Sequence, residues 1–156
     1  MSQRNKLVFL AAAGSAGLLL GAFGFQYIGG MFPCELCLLQ RWPHAAAIAI
    51  GVFALFCGAR LLPYLGALAA LASAGVALFH TGVERAWWEG LASCSGGSLG
   101  GLSVDDLLNP SVVIAAPVRC DAVAWEMFGL SMASWNGILS VVLALVWLAA
   151  ARKDAA

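Results

Sequence analysis

Charge is what this sequence has least of. Only 10% of its 156 residues are Asp, Glu, Lys or Arg, against about 25% in ordinary soluble domains. That excludes a water-soluble globular domain, because too few polar side chains remain to cover one. The charges cancel to a formal net of zero, so no global field favours nucleic acid or an acidic substrate. Histidine is rarer still, at 2 residues. His44, His80 and the cysteines show none of the compact spacings of a zinc site, and no resident metal is expected. An internal repeat is lacking. So is a small-residue processing site after the first apolar run, which reads as a spanning helix rather than a cleaved leader.

Hydrophobic residues, in contrast, make up 62% of the chain, above the roughly 45–50% of globular proteins. They gather into four segments, at about 7–28, 38–58, 64–82 and 133–151. Each approaches the roughly 20 residues that cross about 30 Å of hydrocarbon. The expected architecture is an all-α membrane protein. One domain, 1–156, forms a four-transmembrane-helix bundle with outer loops at about 29–37 and 83–132. Basic residues set the orientation. Arg4, Lys6, Arg60, Arg152 and Lys153 fall on the side of the termini, and Arg41, Arg85 and Arg119 on the other. The excess places both termini in the cytoplasm and both loops in the periplasm or its equivalent. Tyr27, Trp42, Trp87, Trp88, Trp125 and Trp135 collect near the outer boundary, as an interfacial aromatic belt does. In the long loop, Ser103 and Asp106 can cap a short helix whose apolar side would rest on the membrane surface.

Cys34 and Cys37 form a Cys-x-x-Cys pair. Counting about 19 residues back from Arg60 covers roughly 28 Å of helix. Arg41 then stands near the outer hydrocarbon edge, and the two sulfurs lie just beyond it. A helix starting near Pro33, a residue suited to a first helical position, puts both sulfurs on one face. Thiolate is the reactive form, and a helix N-terminus or nearby cation lowers a thiol pKa. Arg41 lies one turn past Cys37. A Cys-x-x-Cys can also be half of a zinc site or an inert brace. Cys57 is expected deep in the second span, as a small inert apolar residue. Cys94 and Cys120 lie in the long loop among Ser, Gly and Asp, where an oxidising compartment would pair them. Four cysteines nonetheless permit three connectivities, and sequence alone selects none. Two couples within reach of one another exchange through mixed disulfides. A single pair would form its bond and stop; two can relay electrons.

His80 lies about 26 Å along the third span from Pro63, at the depth of Arg41. Two polar groups at that depth beside Cys37 suit the headgroup of a two-electron acceptor, whose developing negative charge a cation or donor stabilises. Both also stand close enough to the boundary to snorkel into water.

Pro33-Cys34-x-Leu36-Cys37-x-x-Gln40-Arg41, His80-Thr81, and Cys94 with Cys120-Asp121, Trp125, Gly129-Leu130-Ser131-Met132 and Trp135 together resemble the bacterial disulfide bond formation protein B (DsbB) family. The resemblance runs from the first span to the fourth. It implies a thiol:quinone oxidoreductase of the bacterial inner membrane that generates disulfides. Cys94 would take a mixed disulfide with a periplasmic DsbA-like thioredoxin-fold partner, and Cys120 would exchange with Cys34. Cys37 would face ubiquinone or menaquinone as a thiolate charge-transfer complex. Arg41 and His80 would be the quinone-side residues, with Gln40, Met132 and Trp135 as neighbours. Gln40 stands where some members carry an acid, which removes a carboxylate from that position. Vitamin K epoxide reductase-like proteins share the chemistry, but their quinone-proximal pair precedes the last span. A membrane scaffold or metal-binding assembly factor braced by structural disulfides is the alternative from another class.

Overall fold

The computed structural model describes residues 1–91 and 118–153. Four helices carry the fold: α1 Gln3–Tyr27, α2 Glu35–Cys57, α3 Leu62–Glu84 and α4 Met132–Arg152. Each is long and apolar enough to cross a bilayer, and the chain is a multi-pass membrane protein. The helices outrun the apolar segments by one to four residues at several ends, and side-chain caps mark the starts of α1, α2 and α4. The Ser2 hydroxyl accepts from the Asn5 N–H at the start of α1. Ser131 caps α4 through the Ser134 N–H in the same way. The ends of α2 and α3 use glycine and alanine instead. Gly58 takes φ +63° after α2, a left-handed conformation that costs glycine nothing. Ala86 takes φ +55° after α3 while the Trp87 N–H reaches back to the Gly82 carbonyl, which closes a Schellman motif.

Neighbours in sequence are neighbours in space. α1 packs on α2, α2 on α3, α3 on α4 and α4 back on α1, so the helices form a closed ring. The ring inverts the pattern of a soluble bundle. Ser15, Ser73 and Ser140 are fully buried, whereas Leu20, Phe53, Phe56, Leu68 and Leu145 point outward, as an apolar solvent permits. At one end the core is small and tight: Val8, Ala11, Ala54, Ala67, Ala70 and Ala144 gather around Trp147. Small residues let the backbones come close. A Cβ built on Gly66 would lie 2.5 Å from the Trp147 ring, and one on Gly51 2.5 Å from Ala12. At that end Arg4 is buried and donates to the Ala54 and Ala59 carbonyls, each at 3.1 Å. It thereby satisfies carbonyls at and just past the end of α2, which the helix leaves open.

Two sequence expectations change here. Pro33 lies outside α2, and the N-cap is Cys34 itself. Cys57 is not deep in its span. It is the last residue of α2, free and exposed on the outside of the bundle. A third feature was absent from the all-helical expectation. Glu126–Met127 and Leu130–Ser131 pair antiparallel as strands β1 and β2, just ahead of α4. Phe128 and Gly129 between them both have positive φ, the pattern of a type I′ hairpin turn. The hairpin is pinned to α4 by the Trp135 Nε1–H, which donates to the Met127 carbonyl at 3.1 Å.

Candidate active site

Cys34 and Cys37 sit at the end of the bundle opposite Trp147. As N-cap, Cys34 accepts the Cys37 N–H at 3.4 Å. The same turn brings the two sulfurs to 3.1 Å, both as free thiols. When Cys34 is ionised, its sulfur accepts from the Cys37 S–H across this contact. That bond is the main cause of a Cys34 pKa held down to about 4 against the ordinary 9.0, with His80 helping and burial opposing. Cys34 is only 5% exposed and shares a buried cluster with Leu36, Val83 and Cys120. Cys120 is disulfide-bonded. A low-pKa sulfur thus lies within one packed cluster of an oxidised cysteine.

The donor atoms of Cys34, Cys37 and His80 lie within 4.8 Å of one another, so the set must be weighed as a metal site. Tetrahedral geometry at a Zn–S length of 2.3 Å needs about 3.8 Å between two thiolate sulfurs. The observed 3.1 Å is well inside that and suits closure to a disulfide of about 2.05 Å.

His80 is buried, with Nε2 3.6 Å from Cys34 Sγ and 3.8 Å from Glu84 Oε1 one turn along α3. The Ser131 hydroxyl donates to the other Glu84 oxygen. Which His80 nitrogen bears hydrogen follows from a chain of donors anchored at a backbone carbonyl. Gln40 Nε2 donates to the Leu36 carbonyl at 3.2 Å, which fixes the amide orientation. Its second hydrogen goes to His80 Nδ1 at 3.0 Å, so the His80 hydrogen is on Nε2, facing sulfur. In the other direction Gln40 Oε1 must accept, and Asn136 Nδ2 donates to it at 2.7 Å. Asn136 Oδ1 then accepts from His44 Nε2–H at 2.9 Å. Ser73 joins at 3.0 Å from His44 Nε2 and 3.2 Å from Asn136 Nδ2, and Ser140 donates to Ser73 at 3.3 Å. Three helices thus share one polar network inside an apolar bundle.

Beside this network lies a cavity of about 340 Å³. α1 supplies Gly17, Gly21 and Phe25; α2 supplies Cys37, Gln40, Arg41 and His44; Trp125, Met132, Trp135 and Asn136 close the far side. Its wall is mostly apolar, with a few convergent polar groups, as ligand sites usually are. Arg41 is held from α1: its guanidinium donates to Gln26 Oε1 at 2.6 Å and to the Ala22 carbonyl at 3.5 Å, and lies 4.9 Å from the centre of the Phe23 ring. Arg41 Nε is buried with no hydrogen-bond partner among the described residues.

The residues expected from sequence divide cleanly. Cys37, Gln40, Arg41, Met132 and Trp135 all line the cavity. His80 stands instead on the Cys34 side, linked to the cavity wall through Gln40. Cys120 joins Cys34. Cys94, Ser103 and Asp106 lie outside the described residues. Sequence reasoning missed four participants: Glu84, Asn136, Ser73 and, as part of a site, His44. Glu84 had a signal, four residues beyond His80 on one helix. Asn136 and Ser73 had one too, as polar residues at membrane depth.

The profile of the family described as disulfide bond formation protein DsbB matches residues 4–150. A disulfide bond formation protein B of Herminiimonas arsenicoxydans is 31% identical, over 95% of both chains. One of Ralstonia nicotianae is 32% identical over 96% of both chains, and one of Marinobacter nauticus is 30% identical over 91% of this chain and 86% of its own. No solved structure gives a significant match. The matches cover all four helices and the cysteine-bearing segments between them, where the free Cys34 and Cys37 sulfurs stand 3.1 Å apart. The chain belongs to the disulfide bond formation protein DsbB family, and is a membrane-embedded disulfide-forming oxidoreductase.

Proposed function

We propose that the protein is a thiol:quinone oxidoreductase of the bacterial inner membrane. In this reading it reoxidises a periplasmic DsbA-like thioredoxin-fold partner at the expense of ubiquinone or menaquinone. One observation carries the reading: the Cys-x-x-Cys pair has two faces. Cys37 lines the apolar cavity with Arg41, while Cys34, 3.1 Å away, is packed against Cys120. An electron pair entering at Cys120 and leaving from Cys37 crosses between an aqueous couple and an acceptor dissolved in lipid.

The chemistry balances on these residues. A thiolate of the soluble partner attacks Cys94 and releases Cys120, and Cys120 attacks Cys34 and releases Cys37. Resolution of the partner's mixed disulfide by its second thiol, and of the Cys34–Cys120 bond by Cys94, leaves the inner pair as Cys34 thiolate and Cys37 thiol. Formation of the Cys34–Cys37 bond then gives up two electrons and the Cys37 proton. With one further proton from solvent, a quinone becomes a hydroquinone. His80 Nε2–H, 3.6 Å from Cys34 Sγ, holds negative charge on that sulfur. Arg41, in the cavity wall, supplies a fixed cation where the acceptor oxygen gains charge, and its Nε–H has no partner among the described residues. Gln40 ties the two halves together, and Met132 and Trp135 bound the headgroup space. Arg4, Lys6, Arg60, Arg152 and Lys153 at the opposite end favour cytoplasmic termini by the positive-inside rule.

The test uses the full chain in membranes with a reduced thioredoxin-fold partner and added quinone. Cys34→Ser and Cys37→Ser each abolish quinone-dependent oxidation of the partner. Retained oxidation in both variants would reject the proposal.

A further inference from the structure

His44 is 3% exposed, lies in the middle of a spanning helix, and has no part in the chemistry described so far. A purely structural imidazole at that depth is expected to satisfy both ring nitrogens, because a buried polar atom left unpaired is costly. His44 satisfies one. Nε2 donates to Asn136 Oδ1 at 2.9 Å and lies 3.0 Å from Ser73 Oγ. Nδ1 is buried with no hydrogen-bond partner among the described residues, and the residue lines the cavity. Because the donor chain from the Leu36 carbonyl puts the ring hydrogen on Nε2, Nδ1 is a bare acceptor.

Two residues of the cavity wall therefore carry buried polar atoms of opposite kind with no partner among the described residues, Arg41 Nε–H as donor and His44 Nδ1 as acceptor. They stand on residues three apart in α2, one turn along the stripe that Cys37 begins. Such neighbours on a helix are about 5–6 Å apart at Cβ, a span comparable to that between the oxygens of a para-disubstituted ring. An oxidised quinone offers two acceptor oxygens, of which Arg41 can serve one and His44 neither. A hydroquinone offers an oxygen to Arg41 and an O–H to His44.

We propose that His44 is a headgroup-binding residue that accepts the hydroxyl hydrogen of the reduced acceptor, so that the cavity holds hydroquinone more tightly than quinone. This rests on the quinone reading above, and assigns the site a preference which that reading lacks. Asn136 and Ser73 are positioning residues: they hold the ring hydrogen on Nε2 and so keep Nδ1 open.

The test uses the purified full chain in lipid nanodiscs, a reduced thioredoxin-fold partner, and ubiquinone with a one-isoprene tail together with its hydroquinone. His44→Gln keeps a polar group where Nε2 stood and removes the one at Nδ1. Loss of a single neutral hydrogen bond corresponds to a change of up to about tenfold. The expected result is a ratio of hydroquinone inhibition constant to quinone KM raised about tenfold. His44→Asn, which restores an oxygen near Nδ1, brings the ratio back toward wild type. An unchanged ratio in His44→Gln overturns the proposal, an equal rise in both constants included. So does a His44→Asn no better than His44→Gln. A wild-type protein that fails to reduce the quinone overturns the underlying reading instead, and that is read from the control alone.

Discussion

Removing the Cys37 sulfur should raise the pKa of its neighbour by an amount the geometry bounds. The Cys37 S–H donates to Cys34 at 3.1 Å and is the largest contributor to a Cys34 pKa of about 4. A hydrogen bond to a charged group contributes about 1.5–3 kcal/mol. At 1.36 kcal/mol per pKa unit that is about 1–2 units. The sign is fixed by what the bond favours. It stabilises the thiolate, so its loss raises the pKa, and the thiolate fraction declines at a higher pH than before. In the reduced protein, with Cys57 replaced by Ala, the alkylation rate at Cys34 should be level from neutral pH down to about 5 and fall through about 4. In Cys37→Ala the fall should come about 1–2 units higher. Site-resolved mass spectrometry after brief exposure to a small alkylating reagent measures both curves. A wild-type inflection near the ordinary 9.0 would refute the reasoning, and so would coincident curves for the two proteins.

Other expectations follow from the remaining contacts. Arg41→Leu should raise the KM for a short-tailed quinone about 10–100-fold, the loss of one charged hydrogen bond. Arg41→Lys should not restore it, because an ammonium lacks both the Nε–H and the fork gripped by Gln26 and Ala22; steady-state kinetics decides. Asn136→Leu strands Gln40 Oε1, which now accepts from Asn136 Nδ2, while His44 Nε2 keeps Ser73 Oγ at 3.0 Å; it should cost about 1–3 kcal/mol for the one stranded atom, read as a lower midpoint in thermal unfolding. Gly66→Ala drives a Cβ to 2.5 Å from Trp147 and should cost about 1–3 kcal/mol by overpacking. Gly75→Ala, with nothing within 4 Å, should be neutral or stabilising by up to about 1 kcal/mol. Equal melting points for these two glycine variants would contradict the packing described at the Trp147 end.

The spans were legible because a bilayer demands long apolar runs, and four of them stand out in the sequence. The depth of Arg41 and His80 was legible too, since helical rise converts residue counts into distance. What could not be read was lateral placement. Counting puts His80 level with Arg41, but it does not say that His80 turns to Cys34 while Arg41 turns to α1. The Asn136 network escaped for the same reason: its members come from three helices, and no spacing within one helix encodes the meeting. Cys57 was misplaced because an apolar run does not mark where its helix stops; Gly58, in the left-handed conformation, does. The β1–β2 hairpin was hidden because Phe128 occupies a positive-φ turn position usually held by Asn, Asp or Gly.

Gly17 and Gly21 on α1 line the cavity and have nothing within 4 Å of where a side chain would begin. On this flank two positions of the wall are bare backbone among Leu18, Ala22 and Phe25, while α1 is clamped at its other end by the contacts around Ala12 and Val8. A lipophilic oxidant is thus best served by a sideways approach within the leaflet, its tail remaining among acyl chains. Occupancy would then track mole fraction in the bilayer rather than molarity in water. Two quinones differing only in tail length should saturate the protein alike once their partitioning is taken into account.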